Sequence, residues 1–188
     1  MYITMSRHRR VCLLIALALA AAPSSAADEI RRSEKRVRID SVARETLHRL
    51  FSNKPKAQRL YDKAVAYAVF SNIKISLVIT GGGGTGVAVD KAGGRTYMKM
   101  ATAGLNLGLG GQKYQVVFLF QDRPTFERFV EQGWEAEGSA NAVAGNLGTN
   151  VEASFRNGMA VFQLTQAGLM LQADISGTKY WKSKKLNR

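Results

Sequence analysis

Cysteine is nearly missing from this 188-residue chain. The single one, Cys12, sits inside an N-terminal apolar stretch behind Arg10 and Val11, a poor context for an acylated terminus. Beyond that stretch no disulfide, zinc–thiolate centre or thiol nucleophile can form. Histidine is as scarce, with only His8 and His48. Ser41 lies seven residues before His48 on a predicted helix, about 10 Å along its axis, so the two make no nucleophile–base pair. His48 is expected at the surface or its boundary. Acidic residues number 14 against 27 basic ones, and none fall at metal-ligand spacing. Glu127 and Glu131, at i and i+4 of a short predicted helix, read as a solvated face rather than an acid–base pair. Asp40, Asp62 and Asp90 fall in helix or turn contexts without a partner cluster. A membrane-spanning run is missing too: the longest apolar stretch, from Val11 to Ala22, has twelve residues, too few to cross a bilayer comfortably.

That stretch has another reading. Arg7, Arg9 and Arg10 precede it, and Pro23-Ser24-Ser25-Ala26-Ala27 follows it with small residues. A basic n-region, a short apolar core and a small-residue cleavage site make a signal peptide. Residues 1–27 are therefore expected to be removed, and the protein is expected to be exported, into a bacterial periplasm or beyond. About 161 residues remain, enough for one domain with a real core.

The remainder stays strongly basic. Its net charge is +10, from 24 basic and 14 acidic residues once the three leader arginines are gone. An exported basic domain implies anionic partners, lipid headgroups or surface polyanions, and nucleic acid is not expected in that compartment. Arg31, Arg32, Lys35, Arg36 and Arg38 crowd its beginning, followed by apolar residues at helical spacing: Ile39, Val42, Ala43, Leu47, Leu50 and Phe51. Two readings stand for this segment. A basic amphipathic helix can lie in a membrane interface; equally, its apolar stripe can pack on the domain while the cations face solvent or lipid.

The glycine cluster Gly81 to Gly84, with Gly86, satisfies G-x-G-x-x-G after a predicted strand. Dinucleotide binding also needs a helix opening at the last glycine and an acidic residue about 20 positions on. Val87-Ala88-Val89 is β-like, and Gly104-Leu105-Asn106 stands where the acid should be. Val87 also replaces the lysine of a phosphate-binding loop. The glycines read as devices for bending an antiparallel sheet.

Along the chain, Ser52-Asn53-Lys54-Pro55 separates the first helix from a second, with apolar spacing from Ala57 to about Phe70 and an end at Ser71-Asn72. Strands are predicted from Ile73 to about Gln121, with a hairpin loop at Asp90–Gly94. Arg95–Thr102 is one of them; the leucine/glycine alternation of 103–110 forms a further one with a nearly bare face. Tyr114–Phe120 is a strand buried on both faces. Asp122 caps a short helix with Pro124 in its first turn, Phe126, Phe129 and Val130 on its core face, and Gly133 as its stop. Residues 134–156 are rich in Gly, Ala and Asn and admit strand, loop or helix. Met159–Gln166 and Leu169–Ile175 flank a turn at Ala167-Gly168, with Asp174 on the polar face.

Ala64-Val-Ala-Tyr-Ala-Val-Phe-Ser-Asn-Ile73 resembles the AKAVAVFPNI opening of the SYLF domain family. The glycine-rich hairpin, the Gly104–Gly111 segment and Val116-Val-Phe-Leu-Phe120 with its following helix match in order. Ala142-Val-Ala-Gly145 with Gly148, Gln163-Leu-Thr-Gln-Ala-Gly-Leu169 and Ile175-Ser-Gly-Thr-Lys-Tyr-Trp181 resemble the exported bacterial branch. The similarity spans roughly Ala57 to Asn187. Ser71 stands where the family often has proline, and Gln172 where glycine is common. The resemblance implies a lipid-binding module. Eukaryotic members bind phosphoinositides and yeast relatives bind actin, properties not carried over to an exported chain.

The expected fold class is α+β: N-terminal helices, then a strongly curved, Gly-rich antiparallel sheet or small barrel with one short inserted helix. Residues 28–56 form the basic segment and 57–188 the SYLF-like domain. The expected function is non-enzymatic, peripheral binding of anionic phospholipid, with Arg31, Arg32, Lys35, Arg36, Arg38, Lys54 and Lys56 as the contact residues and no cofactor or metal. The alternative is a structural or interaction protein of the envelope with a protein partner. The oligomeric state is not readable from the sequence.

Overall fold

A computed structural model describes residues 23–76, 79–105, 110–136, 154–165, 168–170 and 177–188. The chain falls into two compact units, residues 1–35 and 36–188. In the first, the described residues from 23 onward are helical. They begin helix α1, Pro23–Asn53, which continues into the second unit.

Within the second unit, α1 turns one apolar stripe inward. Ile39, Ala43, Leu47 and Leu50 are buried, at spacings of four, four and three. The helix stops at Asn53, and Lys54, in extended conformation, leads into α2, Pro55–Lys63, with proline in its first turn. Proline there has a preset φ and forfeits no intrahelical hydrogen bond.

The chain then departs from the helical expectation for 64–70. Ala64 has extended backbone and ends α2, and β1 runs Ala66–Ser76. The apolar run serves both faces of a strand: Ala66, Ala68 and Phe70 enter one core cluster while Val69 enters the other, with Tyr67 packed against it. A run buried on both faces has no periodicity of its own to separate strand from helix. Ser71-Asn72 lies in the middle of β1, not at a helix end.

Strands β2 (Ile79–Asp90), β3 (Arg95–Leu105) and β4 (Gly110–Phe120) follow, then α3 (Arg123–Glu131) and β5 (Trp134–Ala136). β3 includes Ala103–Leu105, so the alternating segment is partly its continuation; 106–109 lie outside the described residues. β6 (Met159–Thr165), β7 (Gly168–Met170) and β8 (Thr178–Lys182) complete the set. The expectations for 137–153 and for Asp174 also lie outside the described residues. Residues Gln121–Gly133 match the sequence reading closely. Asp122 accepts a hydrogen bond from the Thr125 amide at 2.8 Å, and Gly133 has φ +77° just beyond the helix.

The eight strands form one antiparallel sheet in the order β5-β8-β3-β2-β1-β4-β6-β7. The order has two edges, so among the described residues the sheet is open rather than a closed barrel, and the fold is α+β. Each face has its own core. One carries Phe126, Phe129 and Val130 of α3 against Phe70, Phe118, Phe120 and Tyr180. Phe118 sits at the centre of an aromatic group, 5.0 Å from Phe129, 5.1 Å from Tyr180 and 5.5 Å from Trp134 between ring centroids. The opposite face packs Val69, Val87, Val117, Leu119 and Phe162 against the α1 stripe and Ala57 of α2.

Two glycines of β2 are required by packing. A Cβ on Gly86 would lie 2.3 Å from the Val69 carbonyl oxygen and 2.5 Å from the Phe70 ring, and one on Gly84 would lie 2.2 Å from the Ser71 carbonyl oxygen. The cluster is therefore a close-packed strand. No helix opens after it, and the phosphate-loop reading fails on backbone geometry.

Candidate basic surface

Arg31, Arg32 and Lys35 belong to the first unit. Arg31 and Lys35 are exposed. Arg32 is half-buried and bonds Glu29 from Nε at 2.9 Å, and Arg31 lies 3.9 Å from Asp28. Each pair is one helical turn apart, on an exposed helix, and contributes only a few tenths of a kcal/mol at about that spacing.

In the second unit the remaining expected contact residues separate. Arg38 and Lys56 are exposed, and Lys54 is half-buried. Burial, with Lys56 beside it, lowers the Lys54 pKa. Arg36 turns toward the C-terminal segment. Its Nε donates to the Leu186 carbonyl oxygen at 2.8 Å, its NH2 group to the Arg188 carbonyl oxygen at 2.5 Å, and its guanidinium lies 5.9 Å from the centre of the Tyr97 ring. Around it, Asn187 brackets Tyr97, accepting from the Tyr97 amide at 2.9 Å and donating to its carbonyl at 2.7 Å. A side chain so engaged holds structure together, and sequence spacing cannot reveal this because its partners lie at the far end of the chain.

Asp40 and Asp90 do have partners, contrary to the sequence reading. Asp40 Oδ2 takes Arg95 at 3.0 Å and the Tyr97 hydroxyl at 3.1 Å. Asp90 Oδ2 takes Arg123 at 2.6 Å. Hydrogen bonds from the Ala92 amide and from Arg123 hold the Asp90 carboxyl below its ordinary range. The Asp122 carboxyl is lowered by the Thr125 amide and hydroxyl. Asp62 accepts from Gln58 one turn away at 2.9 Å, and Glu131 pairs with Lys182 at 2.9 Å.

Among the described residues, a cluster of polar side chains inside the sheet is uncharged. Asn72, buried on β1, donates to the Tyr114 hydroxyl at 2.6 Å, and Thr102 lies 3.0 Å from Thr178 between hydroxyl oxygens. Tyr180 is buried beside them, and burial pushes its hydroxyl pKa well above the ordinary tyrosine value. These groups include no base that could activate a nucleophile near neutral pH. His48 is exposed, as is Ser41. Among the described residues no three His, Cys, Asp or Glu side chains gather to hold a metal, and no helix is long and apolar enough to cross a membrane.

Two comparisons bear on this arrangement. Residues 101–188 match the family model described as Ysc84, Las17-binding protein actin regulator. The chain is also 47% identical over 154 residues to a protein of Aeromonas veronii named Beta cell expansion factor A, covering 81% of this chain and 59% of that one. It thus spans about three fifths of that relative's length. The matched segment includes the end of β3, all of β4 with its following helix, and the closing strand β8. Residues 101–188 thus match the Ysc84 family model, the SYLF domain that the chain's motifs resemble.

Proposed function

We propose that the protein is a non-enzymatic envelope protein, exported by its N-terminal leader, that binds anionic phospholipid at a membrane surface. The observation behind this reading is the density of cations in 31–38, with Arg31, Lys35 and Arg38 all exposed. The apolar stripe that could have entered a membrane, Ile39 to Leu50, is occupied by the sheet. Contact through this segment is therefore electrostatic, with each cation near an anionic surface contributing on the order of 1 kcal/mol and salt weakening the whole. Arg36 is set aside as a lipid contact, because its guanidinium is committed to the C-terminal segment.

The test is co-sedimentation with phosphatidylcholine vesicles of graded phosphatidylglycerol content, at low and high salt. Binding rises with anionic lipid and falls with salt. No binding at any composition overturns the reading.

A second reading, a protein partner in the envelope, draws on the matched family's description as a Las17-binding actin regulator. Chemical crosslinking in cells separates the two. One dominant protein adduct that survives lipid extraction favours the partner.

A further inference from the structure

Among the described residues, the helices cover only part of their side of the sheet. One cross-strand row, Tyr97, Val87, Val69, Val117 and Phe162, lies within the helix-side core. The next row out begins Trp181–Lys99–Thr85, and Trp181 and Lys99 are exposed. The row beyond it begins Lys179–Ala101–Gly83, and all three are exposed. Because side chains alternate across a strand, both rows face the same side as the helices.

This open part of the face has a distinct chemistry. Its floor is bare at two positions of β2: a Cβ on Gly81 would meet nothing within 4 Å, and one on Gly83 only the Met100 carbonyl oxygen at 3.9 Å. These glycines, unlike Gly84 and Gly86, are not required by packing beneath them. Trp181 is the one large aromatic exposed among the described residues, at 37%. Lys99 is its direct cross-strand neighbour, and Lys113 is exposed on β4, on the same side. Neither lysine has an ion-pair partner among the described residues. Glu135, an acid on this open part of the face, pairs with Lys179 at 3.2 Å.

We propose that this bare, lysine-flanked sheet face with Trp181 is a second docking surface for anionic phospholipid, apart from the N-terminal cations; it rests on the lipid reading above. Tryptophan and lysine suit a membrane boundary, the indole with its apolar body and polar tip and the lysine with its apolar stem and charged head. Charge also decides against a second copy of the chain: two such faces would set Lys99 and Lys113 against like charges. Where Gly81 and Gly83 stand, backbone alone lines the face, and a flat, laterally extended surface can come close.

The experiment compares the whole mature protein with two variants on phosphatidylcholine vesicles with and without phosphatidylglycerol. One variant is Lys99→Glu/Lys113→Glu; the other replaces Arg31, Arg32, Lys35 and Arg38 with glutamine. Unchanged urea midpoints establish that each folds. A separate Trp181→Phe protein identifies the Trp181 share of fluorescence quenching by brominated lipid. The expected result is at least about tenfold weaker binding for Lys99→Glu/Lys113→Glu, from two reversals near an anionic surface, with quenching that disappears in Trp181→Phe. If the arginine-segment variant alone loses binding, and Trp181 is not quenched, the sheet face is overturned while the proposed function stands. If the unmodified protein binds no vesicle, both fall. A dimer in lipid-free buffer that Lys99→Glu/Lys113→Glu dissolves would make a second copy the occupant and overturn the inference.

Discussion

Arg36 and Leu186 are joined across 150 positions of sequence by a hydrogen bond of 2.8 Å from guanidinium to carbonyl. The bond fixes the C-terminal segment to α1 where Leu186 itself is buried. Arg36→Gln keeps some hydrogen-bonding capacity but loses the charge and the fork that reaches Arg188. The expected cost is about 1 kcal/mol, at the low end for charge-assisted hydrogen bonds because the site is partly open to water. It reads as a lower urea midpoint, with the salt dependence of vesicle binding unchanged.

Phe118→Ala should be among the most damaging single changes. The ring is fully buried and has Phe70, Phe129, Trp134 and Tyr180 around it. Removing it leaves a cavity bounded by rigid rings that collapse poorly, for a loss of about 3–5 kcal/mol. Calorimetry or urea unfolding measures it; a loss under about 1 kcal/mol would contradict the packing described.

Gly86→Ala and Gly81→Ala should differ sharply although they lie in the same strand. At Gly86 the added methyl meets backbone and the Phe70 ring well inside contact distance, so the sheet must shift and stability falls by about 1–3 kcal/mol. At Gly81 the methyl meets nothing, and stability holds or rises by a few tenths of a kcal/mol, because alanine restricts the unfolded chain. Thermal midpoints of the two variants, taken side by side, provide the comparison.

Acid should weaken the fold through Asp90 and Asp122. Both carboxyls are held below their ordinary range in the folded state. Their contribution is therefore complete above the unfolded carboxylate pKa, about 4, and is lost as pH falls through the lower folded values. Asp90→Asn/Asp122→Asn should be less stable at neutral pH and lose less on acidification. A urea-midpoint profile from neutral to strongly acid pH checks this, and parallel profiles for the two proteins would count against it.

Much of the fold was legible because some segments state their structure locally. Asp122, Pro124 and Gly133 punctuate α3 within a dozen residues, and Ser52–Pro55 marks the break between α1 and α2. The stretch 64–70 was not legible: its apolar side chains serve two cores at once, so neither helical nor strand periodicity emerges. The same blindness applied to the basic segment. Arg36 looks like Arg38 in a sequence window, and only the return of residues 186–188 to α1 distinguishes them. Lys99 and Trp181 likewise became neighbours through the pairing of β3 with β8, 82 positions apart, which no local pattern announces.

That pairing has a consequence for biosynthesis. β8 is not an edge addition but sits inside the sheet, between β5 and β3. Until residues 178–182 leave the ribosome, β3 keeps an unpaired edge, β5 has no neighbour and the aromatic group around Phe118 lacks Tyr180. Completion of the sheet thus waits for nearly the whole chain, and closing such distant contacts is slow.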